Sequence, residues 1–140
     1  GQPVIDDQGI VGQILLVGTT TSRVILITDV THAVPVRVKR NGIRLVASGS
    51  GRIDRITHAH VPHSADIQSG DILVTSGLGG KYPEGYPVST VSTVLKDESR
   101  PFARVQSTPI AEIDRLRYLL LLWPEKPASM FAPKPVKEQQ

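Results

Sequence analysis

The sequence contains no cysteine, one tryptophan and only five other aromatic residues, three Tyr and two Phe. Without thiols there are no disulfide staples and no thiolate metal sites, so the fold must rest on its core. At 140 residues that is feasible, because a domain near this size buries roughly two thirds of the surface its unfolded chain exposes. The lack of cysteine does not by itself name a compartment. So few aromatics argue against a nucleic-acid surface, which interleaves stacking rings with Arg and Lys along its strands. Long apolar runs are missing as well: the longest, 119–123, is far short of the roughly 20 residues of a membrane helix. Nor is there a block of one charge, since 16 Lys and Arg are interspersed with 13 Asp and Glu for a net +3. That is a mixed, solvated surface.

Glycine is absent after Gly85, and all twelve glycines punctuate short runs rich in Val, Ile, Leu and Thr. Many short strands joined by tight turns give that pattern, so the fold class is all-β. The strand candidates are residues 10–17, 24–28, 34–39, 43–48, 72–75, 88–95 and 102–108. Val34, Val36 and Val38 alternate with Pro35, Arg37 and Lys39, which places one face in a core and the other in water. Asn41 and Gly42 then suit the two positive-φ positions of a type I′ hairpin turn leading into residues 43–48.

From Pro109 the period changes: Ile110, Ile113 and Leu116, with Glu112, Asp114 and Arg115 between them, predict a short helix with Pro109 in its first turn. A last strand is expected over 118–122. Residues 124–140 hold four of the eleven Pro among Lys, Glu and Gln, a composition that cannot offset its ordering entropy, and they read as a disordered tail. The run Gly1-Gln2-Pro3-Val4 returns as Gly85-Tyr86-Pro87-Val88. That echo predicts two small β-barrel units with a break near 49–52: residues 1–50, completed by a strand from near the C-terminus, and residues 51–123. The first barrel would be truncated at its start, as in a fragment of a longer protein.

Three clusters suggest chemistry. His58, His60 and His63 have the spacing H-x-H-x-x-H, and imidazoles two apart on a strand share a face from which they could hold zinc, with Asp66 as a fourth ligand. Pro62, however, stands where related hydrolase clusters carry an Asp, and a small zinc hydrolase is the weaker alternative. His32, Ser76 and either Asp66 or Asp71 could form a Ser-His-Asp set. Ser76 lies in Thr75-Ser76-Gly77, which lacks the G-x-S-x-G elbow of a strained hydrolase serine. Finally, the stretch GDILVTSGLGGKYPEGYPV, residues 70–88, has the glycines of a phosphate loop but not the Walker spacing. Its Gly70, Asp71, Gly77, Gly79, Gly80 and Gly85 read as structural turn residues. What remains is binding to protein, with Tyr82, Tyr86 and Phe102 as amphipathic anchors and Arg37 and Arg40 on the wet side of the hairpin.

Two stretches, SRVILITDVTHAVPVRVKRNGIRLVASGSG (22–51) and VPHSADIQSGDILVTSGLGGKYPEGYPVSTV (61–91), resemble the periplasmic β region of the MreC family of rod-shape-determining proteins. The similarity runs from GQPVIDDQGIVGQI to TPIAEIDRLRYLLLLWP. Thr28-Asp29, Pro35-Val36, Arg40, Gly70-Asp71 and Thr75-Ser76-Gly77, in that order, carry it. The resemblance implies a bacterial inner-membrane protein whose membrane helix and coiled coil lie outside this chain, followed by two six-stranded barrels without a catalytic triad. It implies no cofactor and no enzyme activity. Its partners would be the class B penicillin-binding protein that builds lateral wall, which it binds and activates, the MreD and MreB filament system, and itself. Ser89 departs from the Gly that often follows Pro-Val in the family, and the His58–His63 cluster is not a family feature. On this reading Ser76→Ala leaves partner binding and unfolding unchanged. Gly79→Val, by contrast, costs about 1 kcal/mol or more of stability in a denaturant titration, because a β-branched side chain is forced into a glycine conformation.

Overall fold

The computed structural model describes residues 2–16, 22–113 and 120–121. Among these described residues ten strands follow one another: β1 (Pro3–Ile5), β2 (Ile10–Leu16), β3 (Ser22–Leu26), β4 (Ala33–Val38), β5 (Arg44–Gly49), β6 (Ile56–Val61), β7 (Ile72–Thr75), β8 (Pro87–Leu95), β9 (Ala103–Pro109) and β10 (Leu120–Leu121). Six of them close a barrel in the order β4-β5-β6-β9-β8-β7, and four form a separate sheet in the order β10-β1-β2-β3. All pairings are antiparallel.

The barrel follows from the period-2 pattern. In β4, Val34, Val36 and Val38 are fully buried while Ala33 is exposed and Pro35 and Arg37 are half-buried. In β5, Leu45 and Ala47 point inward and Arg44 and Val46 outward; in β9, Ala103, Val105 and Ser107 are buried and Arg104 and Thr108 exposed. A one-residue slip in any of these strands would turn the whole buried set to solvent, so the register is firmly specified. Val4, Ile10, Val11 and Ile14 of the sheet join the same apolar cluster as the barrel interior.

Main chain and one carboxylate tie the sheet to the barrel. Asp6, nearly buried, accepts hydrogen bonds at Oδ1 from the Gln8 and Gly9 amides at 2.7 and 2.9 Å and at Oδ2 from the Glu112 amide at 2.8 Å. It thus fixes the β1–β2 turn against the segment that leaves β9. On the other side, the Gly49 amide donates to the His32 carbonyl at 3.1 Å and the Gly51 amide to the Thr28 carbonyl at 2.8 Å. The two backbones are so close that a Cβ at Gly49 would overlap the Asp29 carbonyl oxygen.

Several expectations change. The all-β class holds, but the first unit is an open four-stranded sheet among the described residues, with β10 beside β1. Strand pairing also parts the two sheets within 27–32 and not at 49–52: residues 50–55 merely connect β5 to β6, which pair right up to the turn at Gly49 and Ile56. Strand β6 was not among the candidates. The Asn41-Gly42 hairpin is not type I′, since only Gly42 has positive φ (79°). Instead, Val38 pairs with Ile43 and the Gly42 amide bonds to the Val38 carbonyl at 2.7 Å, which makes 39–42 a four-residue loop ending in a left-handed glycine. Pro109 is the last residue of β9, paired with Ser89, so no helix starts there; residues 114–119, the rest of the expected helix, and the tail lie outside the described residues. Gly49→Ala is expected to lower stability by about 1–3 kcal/mol, the usual range for forcing extra volume into a packed contact, read as a lower urea midpoint with an unchanged slope.

Candidate functional site

The histidines part company at a β-bulge. β6 pairs with β9 at His58–Val105 and again at Val61–Ala103 with a register shift between, and His60 in the bulge takes φ 61°. His58 therefore points inward, buried, with Nδ1 donating to the Val46 carbonyl at 3.0 Å and Nε2 accepting from the Ser107 hydroxyl at 2.8 Å. Burial pushes its pKa down to about 4, against a smaller upward effect of the Val46 carbonyl, which keeps it neutral. His60 is exposed and meets Phe102 edge to face, centroids 5.1 Å apart. His63 donates through Nε2 to the Arg100 carbonyl at 2.8 Å. The shared face required for zinc is not formed, and among the described residues no three His, Asp or Glu side chains converge on a metal position. The zinc-hydrolase alternative loses its geometry here.

The serine set is not assembled either. His32 Nε2 lies 2.7 Å from the Tyr82 hydroxyl, and the Ser76 hydroxyl accepts the Leu78 amide at 3.2 Å. Tyr82, expected as an exposed anchor, is only 4% exposed and belongs to the core. Burial raises its pKa and, together with Lys81, lowers that of His32 despite the opposing charge of Asp29. The glycine-rich loop carries the chain from β7 to β8. Thr75, fully buried, donates its hydroxyl to the Pro83 carbonyl at 2.5 Å and accepts the Tyr86 amide at 2.9 Å, while Gly77, Gly79, Gly80 and Gly85 all take positive φ.

Arg40 is held within the molecule. Its Nε and one terminal nitrogen grip the Asp71 carboxylate at 2.9 Å each, and the other terminal nitrogen reaches Asp66 Oδ2 at 3.1 Å. The Gln68 amide adds a bond to Asp71 at 2.9 Å, and Asn41 donates to the Asp66 carbonyl at 2.8 Å. This clamp locks the β4–β5 loop onto the loop before β7. Hydrogen bonding to Arg40 holds both carboxyls below the usual carboxylate range, in Asp71 against the desolvation that accompanies its burial, and raises the Arg40 pKa in turn. Gly70, with φ 96°, turns the chain into this grip. Arg37 lies 3.5 Å from Glu84 without hydrogen-bond alignment. Of the expected anchors, Phe102 is 42% exposed and Tyr86 half-buried against the core.

Sequence reasoning missed the apolar groove outside β4, β5 and β6. With a volume of about 550 Å³, it is lined by Pro35, Val46, Ala59, Pro62 and Leu78, with Arg44 and His60 at its walls. Val46 is 47% and Leu78 59% exposed. The signal was present in Val46, an apolar residue on the outward period of β5.

These features define a small β-barrel module with an apolar surface groove. The chain belongs to the MreC family, for the family model described as rod shape-determining protein MreC, barrel core, matches residues 1–123. It is 57% identical over 124 residues to the cell shape-determining protein MreC of Haemophilus influenzae, covering 89% of this chain and 35% of that protein. It thus spans about a third of the length of the curated relatives it matches. The crystal structure of MreC from Pseudomonas aeruginosa superposes with a TM-score of 0.82 at 48% identity, covering 87% of this chain and 79% of that one. A solved complex between a penicillin-binding protein and MreC from Helicobacter pylori shares the fold, with a TM-score of 0.66 at 20% identity over 85% of this chain and 74% of that one.

The clamp has a pH signature. Because the folded carboxyls of Asp66 and Asp71 titrate below their unfolded value near 4, their contribution is complete above that value. It is lost as pH falls through the lower folded pKa. Asp71→Asn is expected to cost about 1–3 kcal/mol at pH 7, while its urea midpoint and that of the parent chain converge in strong acid.

Proposed function

We propose that this chain is the periplasmic barrel region of a noncatalytic scaffold of bacterial cell-wall elongation. In the full protein, a segment outside this chain anchors it to the inner membrane. It controls cell shape by binding and activating a class B penicillin-binding protein, in cooperation with the MreD and MreB filament system, and it associates with further copies of itself. The observation that carries this reading is the family: a relative more than half identical is a cell shape-determining protein, and a distant member with the same fold is seen in complex with a penicillin-binding protein.

The internal geometry supports an adaptor. The candidate catalytic side chains His32, His58, Asp66, Asp71 and Ser76 are each engaged in structural hydrogen bonds that do not link them into one site. Among the described residues β3 ends the open sheet, so its outer main chain can take up a strand from another molecule. Phe102 and the half-buried Tyr86 and Arg37 remain contact residues on the rim. A purified class B transpeptidase ectodomain should be retained by the immobilised chain, and sedimentation of the chain should depend on concentration. No retention together with a strict monomer at high concentration would overturn the proposal.

A further inference from the structure

We infer that the groove between Pro35, Val46 and Leu78 is the docking site for an extended apolar segment of the partner protein that carries an acidic side chain; this rests on the scaffold reading above. Three independent observations meet there. First, the groove is open and apolar on a strand face whose period would otherwise put polar residues outside: Val46 is 47% and Leu78 59% exposed, and both line it. Burying two aliphatic side chains of that kind is the usual driving force of a small interface.

Second, Arg44 at the groove wall has no ion pair or hydrogen bond for its guanidinium among the described residues, unlike Arg37, Arg40, Arg52 and Arg100. It stands directly across the ladder from Arg37. Like charges opposite each other destabilise a strand pair, and Glu84 reaches only Arg37, at 3.5 Å. The groove wall therefore presents an exposed positive charge without a protein partner among the described residues on the Arg44 side. A carboxylate on the incoming segment supplies that partner, in the bidentate geometry that a guanidinium favours.

Third, the only non-glycine residue with positive φ among the described residues, His60 at 61°, forms part of the same wall, with its ring against Phe102. A side chain held in that conformation costs free energy that the local fold must supply, and such residues concentrate where a surface is shaped for a ligand. Here the bulge turns His60 out of the sheet and makes, with Phe102, a raised aromatic flank.

The experiment is a titration of the isotope-labelled chain with the class B transpeptidase ectodomain, followed by amide shifts. Two variants at exposed positions, Val46→Glu and Arg44→Glu, are compared with Ile53→Glu in the β5–β6 loop; all three are first checked for unchanged thermal unfolding. The expected result is shifts at Val46, Ala59, His60 and Leu78, affinity at least about tenfold weaker in both groove variants, and Ile53→Glu as the parent chain. Ectodomain binding that is indifferent to both groove variants overturns the groove and leaves the scaffold reading standing. Absence of ectodomain binding counts against the scaffold reading, and the groove is then decided by a peptide, Leu-Val-Glu-Leu-Val, against its Gln counterpart. Groove shifts at about 1 mM that favour the Glu peptide sustain the groove, and none overturns it. Groove shifts that follow the chain's own concentration, or that vanish on truncation after Trp123, overturn it in favour of a second copy or of the chain's own terminus.

Discussion

Val36 with Thr75, Arg37 with Val74 and Val38 with Leu73 are the register pairs that close the barrel, and the surface geometry is placed by them. Because β4 and β7 run antiparallel, the residues that leave β4 at its end face those that enter β7. The Lys39 amide bonds to the Ile72 carbonyl at 2.8 Å, and the next step along the ladder brings Arg40 to Asp71. At the opposite end, the Ser76 amide bonds to the Pro35 carbonyl at 3.1 Å. That bond carries the glycine-rich loop, with Leu78 at its turn, across the outer face of β4. The clamp and the groove are thus two ends of one seam. A closed barrel has no strand edge to spare along this seam, so any contact made there falls to side chains.

The seam also shows what could be read from sequence. Alternation over Val34 to Val38 gave β4 its inward face, and the glycine punctuation of residues 70–88 marked turns whose positive φ the structure displays. Arg40 and the Gly70-Asp71 pair were each singled out, yet their bond joins residues 31 apart, and no local pattern reveals such a partner. Strand β6 was hidden because His58 and His60 read as polar. Its inward imidazole is neutral and satisfied by Val46 and Ser107, and the bulge breaks the period just where a pattern search needs it. Tyr82 was misplaced for the same reason: a tyrosine among glycines reads as exposed until its hydroxyl is seen to meet His32, 50 positions away.

The joint between sheet and barrel obeys a different rule from the core. Core positions tolerate exchange of one aliphatic residue for another of similar volume. The joint consists of main-chain bonds at Gly49 and Gly51, the Asp6 carboxylate, and the approach of Gly9 to Pro87, where a Cβ would lie 2.7 Å from the carbonyl oxygen. Here the absence of side chains sets the distance between the two sheets. Sequence read such glycines as punctuation, whereas their role is spacing, and the supposed break at 49–52 fell on the very residues that hold the halves together.

The open edge of the sheet and the groove of the barrel lie on different elements, β3 and the β4–β6 face. Under the proposed self-association, a strand donated by a neighbouring copy would land on the sheet, since the closed barrel offers no edge, and would leave the groove free. On the proposed function, self-association and partner docking would therefore use separate surfaces of one molecule. If both proposals hold, each copy keeps one docking site at any assembly length, so docking capacity would grow in proportion to the size of the assembly.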